Sequence, residues 1–483
     1  MPELDAAAPR YDAVVVGAGP NGLAAAIVLG QAGLSTLVVE AHAVAGGGAR
    51  TLELTLPGFL HDVCSTVHPL GVASPFLRTL DLQRHGLSWA FSPSPLVHVL
   101  DERRAVCVER SLADTARRLG VDGAAYGSLF RPYVDNSESL LEMVLGPLHW
   151  PRRPLLLAKF GLQALNSLEH LVQRFSSDGA AALLAGMGAH AMQPLDKPAT
   201  ASFALILGLT AHAIGWPIAR GGSRAITSAL VATHRELGGE LLLNRRVAHW
   251  TELPPARAYL FDLTPRQLLA VAGSDLPSGY RERLARFRYG PGIFKVDWAL
   301  NSPIPWRDPQ CARAATVHLS GTLASVAASE RAVHAGGVSE RPFVILVQPS
   351  LFDDSRAPTG QHTAWAYCHL PHGSDFDACE LIEQQIERYA PGFKDCVLLR
   401  ASKNCADMER YDENYVGGDI NGGAATLDQL FTRPVARVDP YSTPNPRFFL
   451  CSSSTPPGGG VHGMCGYWAA KSALRRVFGK ALA

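Results

Sequence analysis

The fold is decided by the stretch Tyr11-Asp-Ala-Val-Val-Val-Gly17-Ala-Gly19-Pro-Asn-Gly22 near the start of the chain. Its first residues are apolar and β-branched, which predicts a buried strand ending at the first glycine. The Ala/Leu-rich residues 20–32 predict a helix, and residues 35–40 predict a second buried strand. Strand, turn, helix and strand in this order predict the beginning of a βαβ unit.

The turn between the first strand and the helix has the spacing GxGxxG, which in this context predicts a dinucleotide site. Gly17 permits the tight turn, Gly19 allows the backbone to approach a pyrophosphate, and Gly22 allows the helix to pack closely on the strand. The helix begins at Pro20 and Asn21, so its first N–H groups and partial positive charge face the phosphates.

Glu40 ends the second predicted strand. A carboxylate at this position accepts hydrogen bonds from the ribose hydroxyls and disfavours a 2′-phosphate. FAD and NAD share this first turn, so the choice between them depends on the residues that follow. A second glycine cluster, Gly46-Gly47-Gly48, follows shortly after Glu40 and precedes Arg50.

This second cluster resembles the extended fingerprint of the large FAD-binding superfamily that includes flavin amine oxidases and carotenoid desaturases. The resemblance implies that Gly46, Gly47 and Arg50 contribute to the FAD site, with Arg50 as a candidate for the phosphates. His42 stands where many members carry a basic residue, so its adenosine contact differs from theirs. An alternative for Arg50 is an ordinary surface position on a strand.

The C-terminal stretch Phe449–Met464 resembles the closing FAD motif of phytoene-dehydrogenase-like proteins. The resemblance implies that Gly459, Gly460, Val461 and His462 lie beneath the flavin, where the last helix begins. Helix N–H groups there would face the flavin N1/O2 edge and favour a reduced, anionic flavin. The resemblance extends over the chain from Tyr11 and implies that Val247 contacts the adenine through its backbone.

The expected fold is α/β, a glutathione-reductase-like FAD-binding Rossmann domain interleaved with an α+β substrate domain. The FAD domain is assigned to 11–80, 215–275 and 435–483, and the substrate domain to 81–214 and 276–434. Residues 81–215 are expected to be mostly helical. The short connection after Val247 predicts that the β-meander usual in the superfamily is truncated.

Two side chains are candidates for catalysis. Lys295 lies in a predicted strand, 292–300, that resembles the flavin amine oxidase strand whose lysine contacts flavin N5 through a water. The expected neighbours of Lys295 are Trp298 and Trp306; the alternative is a lysine that faces outward. His462 could hydrogen-bond the flavin or a substrate, or instead pair with a backbone carbonyl.

Other signals limit the function classes. The net charge of +1 does not indicate a nucleic-acid partner. Nine scattered cysteines without a CxxC pair do not predict a metal site or a disulfide framework. The polar residues Met1–Arg10 lack the pattern of a signal peptide, so a cytoplasmic location is expected. The apolar stretch Pro198–Ala219 is interpreted as a buried helix, and a peripheral membrane contact and the oligomeric state stay open.

The sequence thus predicts an FAD-dependent oxidoreductase that acts on a small apolar substrate by hydride transfer to or from flavin N5. The first alternative is a flavin amine oxidase. The second is a protein of the same fold that binds lipid or a lipidated partner without catalysis, as Rab GDP-dissociation inhibitors do. The glycines of the first turn, together with Glu40, disfavour this second alternative.

Overall fold

The computed structural model describes residues 10–148 and 150–480, so most of the N-terminal segment Met1–Arg10 lies outside the described residues. The strands are β1 (Tyr11–Val16), β2 (Thr36–Val39), β3 (Thr51–Glu53), β4 (Leu60–Asp62), β5 (Trp89–Ala90), β6 (Ser94–Asp101), β7 (Arg104–Val108), β8 (Ile218–Ala219), β9 (Glu240–Leu242), β10 (Ala256–Phe261), β11 (Gly292–Leu300), β12 (Ala314–Leu319), β13 (Val344–Val347), β14 (His362–Leu370), β15 (Val397–Lys403) and β16 (Phe448–Leu450).

The α-helices are α1 (Pro20–Gln31), α2 (Pro69–Ala73), α3 (Leu112–Arg118), α4 (Gly123–Val134), α5 (Ser137–Val144), α6 (Pro154–Ala164), α7 (Leu168–Leu171), α8 (Asp178–Gly188), α9 (Thr200–Ala213), α10 (Arg224–Glu236), α11 (Pro265–Ala272), α12 (Ser278–Ala285), α13 (Leu323–His334), α14 (Cys379–Tyr389), α15 (Cys405–Tyr411), α16 (Leu427–Thr432) and α17 (Met464–Ala473). Within the described part of the chain, no helix combines the length and the apolar composition that a membrane span requires.

The first sheet is parallel and five-stranded, in the order β16-β10-β1-β2-β9. Its central strands are buried, which is why they appear in the sequence as apolar runs without alternation. The predicted β1–α1–β2 unit is confirmed. The strand predicted for 240–247 ends at Leu242, because Asn244 adopts a left-handed φ of 56° and redirects the chain.

The second sheet is mixed and seven-stranded, in the order β15-β11-β14-β13-β12-β6-β7. The expectation that residues 81–215 are mostly helical is wrong for β6 and β7, which form one edge of this sheet. Nearly every residue of β6 is buried, so its apolar run does not alternate and periodicity alone cannot separate it from a buried helix.

Strand register aligns two rows of side chains on one face of the seven-stranded sheet. The first row is Leu96–Thr316–Val347–Trp365–Asp297, and the second is His98–His318–Ile345–Tyr367–Lys295. Side chains opposite one another in neighbouring strands lie on the same side of a sheet. We call this surface the substrate-side face, and its middle members border the central cavity described below.

Three expectations concern connections and boundaries. The buried helix expected within Pro198–Ala219 is α9. The chain passes from β9 to β10 without further strands among the described residues, as expected for a truncated meander. The two-domain boundaries and the glutathione-reductase-like classification stay predictions.

Candidate functional site

A cavity of about 1260 Å³ extends from the carboxyl ends of the parallel strands to the substrate-side face. We call it the central cavity. Most of the predicted cofactor residues line it: Gly17, Gly19, Pro20, Asn21, Glu40, His42, Gly47, Arg50, Val247, Gly459, Gly460, Val461 and His462. The N-terminal turn and the C-terminal glycine turn, which lie near opposite ends of the sequence, therefore border one space.

The glycine turn has the close approaches that the sequence predicted. Gly17 has a φ of 102°, and a Cβ on Gly22 would lie only 2.1 Å from the Gly17 carbonyl oxygen. The Gly22 N–H donates to Asp262 Oδ2 at 2.9 Å. Gly22 thus faces the end of β10 and does not line the cavity, in agreement with its predicted role in close helix–strand packing.

Gly46 also lies outside the cavity lining, and its predicted contribution to the cofactor site stays a prediction. Its φ is 143° and its N–H donates to the Ala18 carbonyl at 2.9 Å. A Cβ there would lie 2.9 Å from Arg50 Cγ. Gly46 therefore supports the turn that carries Gly47 and Arg50.

Glu40 organises the end of the cavity that borders the glycine turn and Arg50, which we call the nucleotide end. Its Oε2 accepts from the Ala18 N–H at 2.8 Å, and its Oε1 accepts from the His42 N–H at 3.0 Å and from Arg50 Nη2 at 3.1 Å. A carboxylate has about four lone-pair positions, so it retains acceptor capacity for a ribose hydroxyl.

The buried polar atoms of the lining that have no partner among the described residues include Asn21 Oδ1 and Arg50 Nη1, both beside the glycine turn. Arg50 is 4% exposed, and its Nε donates to the Val44 carbonyl. Buried polar groups are normally paired, and a guanidinium is suited to phosphate recognition. Together with the glycine approaches, these atoms fit a dinucleotide such as FAD.

Sequence reasoning missed two carboxylates of this end, Asp262 and Asp412. Burial raises the pKa of Asp262 to about 8, against the hydrogen bond from Gly22. Burial likewise raises the pKa of Asp412, and Glu40 contributes. The position of Asp262 immediately after the β10 strand was the available signal, because ligands bind beyond the carboxyl ends of parallel strands.

His462 lines the cavity in the C-terminal glycine turn. Its Nδ1 accepts from the Met464 N–H at 3.0 Å at the beginning of α17. Burial lowers the pKa of His462 to about 4, so the ring is neutral at pH 7 and carries its proton on Nε2. The contact to α17 assigns His462 a turn-stabilising role, and its catalytic role stays a prediction.

Lys295 lies behind the cavity wall and is not among the lining residues, so its catalytic role stays a prediction. Its ammonium contacts Asp297, and it lies 4.9 Å from the ring centroid of Trp365, which does line the cavity. Burial lowers the pKa of Lys295. Trp298, expected beside it, projects from the opposite face of β11 and donates to Glu383 at 3.0 Å.

Lys295 belongs to a buried ionic network that joins β11 to the segment after the second glycine cluster. His61 Nδ1 lies 3.6 Å from Asp297 Oδ1. The neighbouring Asp62 accepts from Arg356 at 2.9 Å and from the Ser223 N–H at 2.8 Å. This network lies on the substrate-side face, separated from the cavity by Trp365. It anchors the segment 64–71, which lines the middle of the cavity.

Comparisons with known proteins agree with this geometry. Residues 15–80 match the family model of the NAD(P)-binding Rossmann-like domain. Pyridine nucleotide-disulfide oxidoreductase domain-containing protein 2 of Rattus norvegicus is 28% identical, over 97% of this chain and 94% of the relative. The lycopene-forming phytoene desaturase of a Paracoccus strain is 24% identical, over 94% of this chain and 95% of the relative.

Solved structures share the fold. An oxidoreductase from Methanosarcina mazei has a TM-score of 0.66 at 15% identity, over 96% of this chain and 99% of that one. Putrescine oxidase bound to putrescine has a TM-score of 0.59 at 17% identity, over 97% of this chain and 99% of that one. Rab GDI from Plasmodium falciparum has a TM-score of 0.52 at 11% identity, over 98% of this chain and 99% of that one. Residues 15–80 thus match a Rossmann-like nucleotide-binding domain, and the chain shares the overall α/β fold of these solved structures.

Proposed function

We propose that this protein is an FAD-dependent oxidoreductase that desaturates, saturates or isomerises an uncharged, apolar substrate. The observation that carries the proposal is the continuity of the central cavity from the glycine turn into an apolar end. That end is lined by α5, α6 and α9 through residues that include Met143, Leu157, Phe160, Phe203 and Leu207. When bound, FAD supplies hydride transfer at its N5.

The electrostatics of the cavity separate its two ends. The carboxylates that line it are Glu40, Asp262, Asp412 and Glu413. Hydrogen bonds and charge interactions connect all four to the nucleotide end, where Glu413, for example, pairs with Arg246. No carboxylate of the described lining therefore belongs to the apolar end.

Two further histidines of the lining, His68 and His190, are neutral as well. Burial lowers the pKa of His68 to about 4 and that of His190 to about 3. Each buried methylene contributes roughly 0.8 kcal/mol, whereas a buried charge without a partner is strongly unfavourable. The cavity therefore favours a long apolar substrate over an ionic one.

The flavin amine oxidase alternative rests on one specific observation. Trp365 and Tyr367 lie side by side with ring centroids 5.8 Å apart and an interplanar angle of 12°. Both line the cavity, as a pair of aromatic walls for a small amine would. Against it stands the absence of a carboxylate from the described lining beside this pair, which leaves an ammonium ion without a counter-charge.

The first test is the cofactor. Purified protein should show flavin absorbance, and acid denaturation should release the flavin into the supernatant, as expected for a non-covalently bound cofactor. Protein that stays colourless after incubation with FAD would favour the non-catalytic alternative. Anaerobic mixing with a polyene panel and with primary alkylamines then separates the two enzymes: bleaching by amines alone would contradict the proposal.

The peripheral membrane contact is also a proposal. Trp150, Leu155 and Leu162 are 90%, 85% and 76% exposed, on and before α6, whose inner residues line the cavity. Arg153 and Lys159 are exposed on the same segment. Apolar side chains beside basic ones suit a bilayer containing anionic lipid, and such a surface would bring the cavity close to a membrane-dissolved substrate.

A further inference from the structure

The substrate-side face carries polar groups that hydride transfer does not require. Thr316 and His318 lie two residues apart on β12 and therefore share this face. Thr316 and His190 line the central cavity, and His190 Nε2 lies 3.1 Å from His318 Nε2. Trp216, another lining residue, has its ring centroid 6.4 Å from both imidazole centroids.

The Thr316 hydroxyl has no hydrogen-bond partner among the described residues, although the residue is only 3% exposed. A buried hydroxyl without a partner is costly. Because Thr316 borders the cavity, a bound ligand can supply the missing partner. Its hydroxyl can both donate and accept, which suits a hydroxyl or carbonyl oxygen.

The hydrogen bonds of the neighbouring histidines define which protons are available. His98 Nε2 lies 2.7 Å from the Gly321 carbonyl oxygen and so carries its proton there. His318 Nδ1 is buried without a partner, and a bare nitrogen is tolerated there better than an orphaned N–H donor. His318 then carries its proton on Nε2 and donates to His190 Nε2.

In this arrangement His190 carries its proton on Nδ1, where it is a neutral donor. Burial keeps the pKa of both His190 and His318 low. The subsite thus contains two neutral donors, on Thr316 and His190, and the Thr316 oxygen as an acceptor. An ammonium ion would find no carboxylate there, and a carboxylate would find no cation.

We propose that Thr316 and His190 form a subsite for one neutral oxygen, a hydroxyl or a carbonyl, on an otherwise apolar substrate. His318 is a positioning residue that holds His190 in the donor form. The inference rests on the proposed function and narrows its substrate class from a pure hydrocarbon to a long apolar molecule with a single uncharged oxygen function.

The test compares four ligands with the same chain: dodecane, 1-dodecanol, dodecylamine and dodecanoate. Radiolabelled ligands are equilibrated by dialysis with the FAD-loaded protein. We expect 1-dodecanol to bind about 10-fold tighter than dodecane, as one additional neutral hydrogen bond would give. The Thr316→Val variant should reduce this ratio to about twofold or less, since valine keeps the shape and removes the hydroxyl.

Thr363→Val is the matched control. The Thr363 hydroxyl is also buried without a partner on the same sheet, but Thr363 does not line the cavity. This variant should keep the full preference for 1-dodecanol. Flavin content and melting temperature, measured for both variants, establish that each is folded, so a lost preference reports on the ligand contact.

The outcomes separate the subsite from the proposed function. Equal binding of dodecane and 1-dodecanol, or an unchanged preference in Thr316→Val, would overturn the subsite while the apolar substrate class stands. Tightest binding of dodecylamine would overturn the subsite and favour an amine oxidase. Binding of none of the four to fully flavinated protein would overturn both proposals.

Discussion

The buried pair of Lys295 and Asp297 yields a quantitative prediction about stability. Each side chain is 1% exposed, and the two contact one another on the substrate-side face. Removal of one member of such a pair leaves an uncompensated buried charge, which costs about 3–5 kcal/mol. Lys295→Met keeps the length and the apolar packing, so we expect the free energy of unfolding to fall by about that amount.

The double variant Lys295→Met/Asp297→Leu supplies the control. When both charges are replaced by apolar side chains, the net effect is often neutral or stabilising. The double variant should therefore recover most of the loss, with a coupling energy of at least about 2 kcal/mol. Urea titration of the FAD-loaded protein, followed by tryptophan fluorescence, measures all three variants against the wild type.

The stability difference between Lys295→Met and the wild type should depend on pH, because His61 lies beside the pair. Burial lowers the pKa of His61 to about 4; Asp297 opposes the shift and Lys295 adds to it. Without Lys295 the folded-state pKa of His61 rises, while its unfolded value is unchanged. The variant then gains stability relative to the wild type as the pH falls from about 7 towards 5, because the His61 cation pairs with Asp297.

The kinetic half of the experiment decides whether Lys295 acts on the cofactor. Stopped-flow measurement separates substrate reduction of the flavin from its reoxidation by oxygen. A folded Lys295→Met variant in which reoxidation alone is slowed 10-fold or more, about 1.4 kcal/mol, while reduction of the flavin is unchanged, would refute the placement behind Trp365. Equal instability in the single and double variants would refute the electrostatic reasoning itself.

Three further predictions follow from the nucleotide end and the surface. Glu40→Ala should weaken FAD binding about 10- to 150-fold, measured by flavin fluorescence titration of apo-protein; an unchanged Kd would mean that the ribose is held elsewhere. FAD affinity should decrease as the pH rises through about 8, where Asp262 ionises beside the phosphate turn, and Asp262→Asn should flatten that profile. Leu155→Ser/Leu162→Ser should reduce sedimentation with phosphatidylserine vesicles, whereas Val121→Ser, at an equally exposed apolar residue, should not.

The β1–α1–β2 unit could be predicted because its signals are local. The glycine spacing, the helix begun by Pro20 and the carboxylate of Glu40 lie within one short segment. The C-terminal turn was found by resemblance to a motif, and His462 does border the same cavity as the first turn. Local chemistry and a recognisable motif therefore predicted residues that the structure brings to one cavity, and their role in cofactor binding stays a prediction.

The other elements depended on contacts that are distant in sequence. Asp262 approaches Gly22 across 240 residues, and no spacing in the sequence signals that contact. Lys295 was expected to face the flavin because its strand resembles that of flavin amine oxidases, but a resemblance of one strand does not say which layer covers its face. Trp365 and the segment around His61 cover it here.

Register also explains why effects on turnover cannot identify a catalytic residue on the substrate-side face. Trp365 lines the cavity, pairs with Asp297 across β14 and β11, and lies over the Lys295 ammonium. A substitution in the buried pair therefore disturbs a cavity wall directly, through one side chain. Trp365, the Lys295–Asp297 pair and the row that contains Thr316 belong to one face of the sheet. A substitution of Lys295 is therefore expected to lower the turnover rate whether or not this lysine contacts the flavin. A chemical role for Lys295 would be assigned only by a defect confined to one half-reaction. That defect must persist in the double variant Lys295→Met/Asp297→Leu, in which the stability is restored.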